Sequence, residues 1–242
     1  MSYKLPKKAR EYVLYQRTHL LPKRDQTTLK KIINRLNFWF QNKKYKDFVI
    51  KTAKAESSNI DKNYFSDLKK NVEKLLPHIP KETLSILDIG CGIAGLDIIL
   101  NEYLKPNKIY LLDKTKIEKK IWYGFKKSGA FYNSLELAKK TFELNGVNTN
   151  IIELIDAPID GNIPLEKESI DLVISTISWG FHYPIKTYIK SVLSLLKKKG
   201  VLIIDLRLSK NTKTELDELS KFFHVEIIDM ENTFKTIRCV KK

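Results

Sequence analysis

Three of the chain's nine glycines fall within six residues, in Leu87-Asp88-Ile89-Gly90-Cys91-Gly92-Ile93-Ala94-Gly95. The apolar run leading into this cluster predicts a buried strand, a tight turn and then a helix. Without a Cβ at the turn the backbone can approach a ligand closely, and the first N–H groups of the helix point toward it. The plain alternative is a tight turn that binds nothing.

From about residue 84, short apolar runs alternate with amphipathic stretches, the pattern of a parallel sheet flanked by helices. Seven strands are predicted within residues 85–89, 108–112, 150–155, 170–174, 201–204, 225–228 and 234–240. The gaps between the first five suit crossover helices. One of these, 135–144, would put Leu137, Thr141 and Leu144 on one side after a capping-box-like Asn133-Ser134-Leu135-Glu136 start. Only Asp229-Met230-Glu231-Asn232-Thr233 separates the last two strands, so they pair antiparallel. The expected fold is α/β: a doubly wound, mostly parallel seven-stranded sheet with a C-terminal antiparallel hairpin. Before it, Leu29, Ile32, Ile33, Leu36 and Phe40 share one helical face, and Phe65, Leu68, Val72 and Leu75 share another. Residues 1–60 read as a basic helical cap and 61–242 as the main domain.

Charge is uneven. The chain of 242 residues carries a net +16, but residues 1–60 hold 15 Lys+Arg against 4 Asp+Glu, which leaves only +5 for the remainder. Of the 44 basic residues 38 are Lys, a skew that genome bias produces as readily as a polyanion partner does. No run reaches the ~18 apolar residues of a membrane span, and no apolar stretch follows Met1-Ser2-Tyr3-Lys4 to make a signal peptide. Cys91 and Cys239 have neither metal-ligand nor disulfide-framework spacing. A cytosolic protein without membrane insertion is expected.

Gly90-x-Gly92-x-x-Gly95, with Asp113 downstream, also satisfies the dinucleotide-binding fingerprint, and spacing alone does not choose between cofactors. The neighbouring residues do. Ile86-Leu87-Asp88-Ile89-Gly90-Cys91-Gly92 closely resembles motif I of the class I S-adenosylmethionine-dependent methyltransferases, in which an acidic residue precedes the glycines. Asp113 after Tyr110-Leu111-Leu112, Asp156-Ala157 after the third strand, Ile170-Asp171-Leu172-Val173-Ile174-Ser175 and Leu195–Ile203 resemble later motifs of that family, in order, across residues 61–242. The resemblance implies S-adenosylmethionine as cofactor, held by Asp88, Gly90, Cys91, Gly92, Asp113, Lys114, Asp156, Ala157 and Ser175, with Asp113 on the ribose and Asp156-Ala157 at the adenine. One departure stands out: the family's third glycine is displaced from Ala94 to Gly95.

Several methyl-transfer chemistries lack their residues. No Asn/Asp/Ser-Pro-Pro-aromatic run follows the fourth strand, no Cys lies near it for a covalent mechanism, and Ser175 stands where metal-dependent and ribose-directed enzymes need Asp. No metal is expected. Ser175-Thr176-Ile177-Ser178-Trp179-Gly180-Phe181-His182-Tyr183-Pro184 resembles the aromatic-His stretch of small-molecule methyltransferases, which makes His182 the candidate general base, with a structural role as the alternative. Trp179 and Tyr183 are candidate acceptor walls or packing residues. An aromatic insertion at about 115–132, including Trp122 and Tyr123, suggests a lid over cofactor or acceptor, with a base-stacking surface for nucleic acid and a plain surface insertion packed on the sheet edge as the alternatives. The leading expectation is methylation of a hydroxyl on a small or sugar-like acceptor carrying phosphate or carboxylate. The alternatives are an RNA-modifying methyltransferase using the basic N-terminal region and a catalytically inactive cofactor-binding partner subunit.

Overall fold

The computed structural model describes residues 3–20, 43–114 and 134–242. The strands are β1 (Ser85–Ile89), β2 (Lys108–Asp113), β3 (Ile152–Asp156), β4 (Ile170–Ser175), β5 (Ser178–Tyr183), β6 (Leu196–Arg207), β7 (Phe223–Met230) and β8 (Phe234–Lys241). The helices are α1 (Lys7–Gln16), α2 (Lys43–Ala55), α3 (Ser57–Leu75), α4 (Gly95–Leu104), α5 (Leu135–Leu144), α6 (Ile189–Leu195) and α7 (Thr212–Ser220).

Seven strands form one sheet in the order β3-β2-β1-β4-β6-β8-β7, with β8 antiparallel to both neighbours. The expected mixed α/β sheet and its antiparallel ending are present. Strand β1 is buried throughout because helices cover both faces of a parallel sheet. Its side chains alternate between two cores: Ile86 joins residues of α1 to α5, and Leu87 and Ile89 join residues of α6 and α7. From β1 the chain winds outward to β2 and β3, then returns to pair β4 with the other edge of β1. This reversal opens a crevice at the carboxyl ends of β1 and β4.

At the opposite end, Asp171 accepts from the Leu84 and Ser85 backbone N–H groups at 3.1 and 3.0 Å, and Lys197 pairs with it at 2.9 Å. Burial pushes its carboxyl up, but Lys197, Ser85 and Leu84 outweigh that and hold it below the ordinary value.

Several local expectations are corrected. The connection from β3 to β4 crosses without a helix. The strand expected at 201–204 is longer: β6 begins at Leu196 and includes Lys197–Gly200, where the pairing register shifts between Ile170 and Leu172. Ser134 makes no side-chain cap bond, and the buried face of α5 is Leu135, Ala138, Thr141 and Phe142, with Leu144 51% exposed.

The division drawn at residue 60 falls inside α3, whose Ile60, Tyr64, Phe65, Leu68, Val72 and Leu75 are all buried. Each contributes roughly 1.5–3 kcal/mol. Leu5, Ala9, Val13, Leu14 and Val49 share a core with Ile98 and Ile99 of α4. Arg10 grips Asp61 through two nitrogens, each at 2.7 Å. Lys4 and Asn145 exchange two hydrogen bonds of 2.8 Å, fastening the N-terminal segment to the end of α5. The helical face at 29–40 lies outside the described residues.

Candidate active site at the carboxyl edge of the sheet

Between β1 and α4, Gly90 takes φ 87° and Gly92 takes φ 60°. Glycine enters this left-handed region without strain. The N–H groups of Gly90 and Cys91 donate to the Leu112 carbonyl at 2.7 and 3.3 Å, which fixes the turn to β2. A Cβ at Gly90 would lie 1.8 Å from Ser178 Oγ, so β5 runs directly against the turn.

The displaced third glycine has a packing cause. Ala94 itself adopts φ 56° and ψ 29°. For a residue with a Cβ, that conformation costs about 1–2 kcal/mol. Gly95 opens α4 where an added Cβ would meet the Tyr64 ring at 2.5 Å and Leu68 at 2.7 Å. Close contact between α3 and α4 therefore demands glycine at 95 and leaves Ala94 with the left-handed residue.

Carboxylates surround the turn. Asp113, buried at the end of β2, accepts from the N–H of Gly92 at 2.8 Å through Oδ2 and from Lys114 at 2.6 Å through Oδ1. Asp156 lies opposite it in the β2–β3 register and is exposed, and the Ala157 N–H donates to the Asp113 carbonyl at 3.0 Å. Asp113, Lys114, Asp156 and Ala157 thus meet at one edge. Asp88 in β1 is 3% exposed and Asp97 in the first turn of α4 is 0% exposed. Among the described residues no hydrogen-bond partner serves Oδ1 of Asp88 or either oxygen of Asp97, and the two carboxyls act on each other's ionisation. Burial, the charges of Asp97 and Asp113 and the shared contact push Asp88 well up, and burial pushes Asp97 up to about 7. Asp97 gave no signal in the sequence because an acidic residue in the first turn of a helix is ordinary.

The stretch after β4, outside the seven expected strands, contains the strand β5. Ser175 is fully buried, donating to the Ile89 carbonyl at 2.7 Å and accepting from the Trp179 N–H at 2.9 Å, so its hydroxyl ties β1, β4 and β5 together. Ile177 takes φ 51°. That value is unfavourable for a β-branched residue. Its N–H is held by Asp205 at 3.1 Å, whose other oxygen accepts from Thr236 at 2.7 Å. Burial raises the Asp205 carboxyl to about 6 despite those two bonds.

Trp179 is not an acceptor wall: it is 0% exposed, donates Nε1–H to the Ile185 carbonyl at 3.1 Å and meets the Tyr188 ring edge-on at 6.0 Å. Tyr183 lies beside Lys114, whose Nζ is 5.2 Å from its ring centre, and burial and the Asp113 charge raise its hydroxyl pKa. His182 is exposed beside Phe181, and Arg207 lies 5.5 Å from the Phe181 ring centre. Partial desolvation, then the Arg207 charge, hold the imidazole below its ordinary value. Trp122, Tyr123 and the 115–132 insertion lie outside the described residues.

No protein-family model matches the sequence, and no curated protein matches it. Solved structures do. A protein provisionally assigned as an S-adenosylmethionine-dependent methyltransferase in Methanococcus maripaludis aligns with TM-score 0.57 and 19% identity over 76% of this chain and 90% of that one. A precorrin-6y C5,15-methyltransferase from Geobacter metallireducens gives 0.51 and 17% over 70% and 87%. An S-adenosylmethionine-dependent methyltransferase from Aquifex aeolicus gives 0.52 and 12% over 71% and 88%. At such identities the likeness is one of fold, and with the strand order and antiparallel ending it establishes that this chain has the class I, Rossmann-like fold of the S-adenosylmethionine-dependent methyltransferases.

Proposed function

We propose that the protein is an S-adenosylmethionine-dependent methyltransferase acting on a hydroxyl of a small or sugar-like acceptor that carries phosphate or carboxylate. The observation that carries the cofactor reading is the set of acceptors at the glycine turn. Asp88 offers a buried oxygen without an outside donor, and Asp113, which anchors two backbone N–H groups, ends β2 with a carboxylate of the kind that ribose hydroxyls bond. These residues fit the cofactor: a cationic methionyl end suits Asp88, where a pyrophosphate would be repelled. Gly90, Cys91 and Gly92 would bring backbone beside it, and Asp156 and Ala157 would border the adenine. Bound there, the cofactor supplies an electrophilic methyl group.

The chain's own task is to hold the acceptor in line, exclude water and take the hydroxyl proton. Lys114 and Arg207, at the ends of β2 and β6, flank β5 and favour an anionic acceptor. His182 would be the base. With its pKa held below the usual ~6.5, the imidazole is neutral at neutral pH and ready to accept a proton. Turnover is expected to fall on the acid side as His182 protonates, with an inflection below that of an ordinary histidine. His182→Ala should lower the rate about 10²–10⁴-fold and abolish that limb; an unchanged pH–rate profile makes His182 a structural residue.

Titration calorimetry tests the cofactor assignment. Saturable S-adenosylmethionine binding at one site per chain is expected, and tight nicotinamide dinucleotide binding in its place overturns it.

One observation favours RNA as the acceptor. A cavity of about 620 Å³ between the N-terminal segment and α3 is lined by Lys4, Arg10, Ser57, Ser58, Lys62 and Lys69. Asp61 neutralises Arg10, leaving three lysines for phosphates. Single-stranded RNA held there would show a log-affinity against log-salt slope of about −2, lost in a Lys4→Gln, Lys62→Gln, Lys69→Gln variant. Weak, salt-insensitive retention eliminates this reading.

A further inference from the structure

Asp88 and Asp97 come from different elements, are almost wholly enclosed, and have no cationic partner among the described residues. The groups that face them are acids as well: Tyr64 from α3, Cys91 in the turn and Asp113 from β2. Arg17 sits 5.3 Å from the Tyr64 ring centre, where it acts on that phenol. Two enclosed carboxyls in contact cannot both ionise without a compensating positive charge. One oxygen on Asp88 and two on Asp97 nevertheless remain without an outside donor at the turn where a ligand is expected.

We propose that Asp88 and Asp97 form a proton-coupled cation site: the pair holds one proton in the ligand-free protein and gives it up to solvent when an ammonium or sulfonium group of a ligand occupies the glycine turn. The charges balance, one positive charge entering as one leaves. The proposal rests on the cofactor reading and adds to it a second carboxyl, Asp97, and a released proton. Asp97 acts through Asp88, as a positioning residue, by keeping that carboxyl protonated until a cation arrives.

The sign of the pH effect follows. Both carboxyls are raised above the ordinary carboxylate value, Asp97 to about 7. In the ligand-free protein the stability associated with the protonated pair is full below the unfolded carboxylate pKa and is lost as pH rises through the folded value. Ligand affinity runs the other way, rising toward about tenfold per pH unit on the acid side of the pair's titration.

The experiment is calorimetric titration with S-adenosylmethionine at pH 6, 7 and 8, in buffers of different ionisation enthalpy, on the intact chain and on Asp97→Asn. In the variant an amide N–H donates to Asp88, which then ionises with no proton to release. Buffer-dependent heat signifying proton release is expected for the wild type, with affinity that climbs with pH. Both features should disappear in Asp97→Asn, or in Asp97→Ser if the amide disturbs folding. The ligand's own amino group contributes equally to every protein. Binding without proton release by the wild type, or unchanged release by the variants, overturns the proposal. Absence of any binding overturns the cofactor reading instead, and ligand-free melting then judges the pair. A wild-type melting temperature that falls from pH 6 to 8, flattened in Asp97→Asn, supports it, and a pH-independent wild-type melt overturns it.

Discussion

Replacing Asp113 with Ala is expected to weaken S-adenosylmethionine binding by at least about 100-fold, the largest effect of any single change at the turn. Two losses combine. Hydrogen bonds to a charged acceptor are worth about 1.5–3 kcal/mol each, so losing the two proposed bonds to the ribose hydroxyls would account for roughly 3 kcal/mol or more, and every ~1.4 kcal/mol is tenfold. The second loss is internal: the N–H groups of Gly92 and Lys114 both terminate on this carboxylate, and removing it frees the turn that Gly90 and Cys91 still tie to β2. Asp113→Asn separates the two. Its single amide oxygen can still accept from Gly92, so the turn keeps its shape while one acceptor and the charge disappear. Calorimetry should rank wild type above Asn above Ala, with melting temperatures closer together than affinities. A loss of less than about fivefold in Asp113→Ala, in a protein that still melts cooperatively, removes Asp113 from the cofactor site.

The sheet was legible because its signal is coarse. Parallel strands covered on both faces must be almost continuously apolar, so Ile86-Leu87, Leu111-Leu112 and Leu172-Val173-Ile174 stand out in the sequence. The hairpin followed from the shortness of its connection. The glycine turn and the cluster of Asp113, Lys114, Asp156 and Ala157 could be read because carboxyl-edge residues follow directly from strand ends. What stayed hidden depends on three-dimensional partners. In Ser178-Trp179-Gly180-Phe181-His182-Tyr183 the aromatics at 179, 181 and 183 do alternate as in a strand, but the run is short and Gly180, with φ 81°, and His182 break its apolar signal. Asp97 looks like any acidic residue near a helix start until its enclosure against Asp88 is seen. The N-terminal segment was read through its lysines, whereas Leu5, Ala9, Val13 and Leu14, the residues that join it to the core, drew no notice.

Trp179 shows how a packing residue differs from its neighbours in the proposed site. Trp179→Ala is expected to cost about 3–5 kcal/mol for the large-to-small change in a closed core. About 1–3 kcal/mol more follows from leaving the Ile185 carbonyl without its indole donor. Against a total stability of about 5–15 kcal/mol, that brings the protein near its unfolding threshold. A chain of this size should lose roughly 10 °C or more in melting temperature. Trp179→Phe keeps most of the buried area and forfeits the hydrogen bond, so its melting temperature should fall between the two. The kinetic expectation is equally specific. Trp179 anchors β5 from below, through its backbone N–H on Ser175 and its indole on Ile185, while Tyr183 and His182 sit further along the same strand. Loosening that anchor would displace the proposed base and acceptor surface together, so Trp179→Phe should lower kcat with little change in S-adenosylmethionine affinity, whose proposed contacts lie on β1, β2 and β3. A Trp179→Phe protein with wild-type melting temperature and an acceptor KM raised about tenfold would instead return Trp179 to the acceptor pocket.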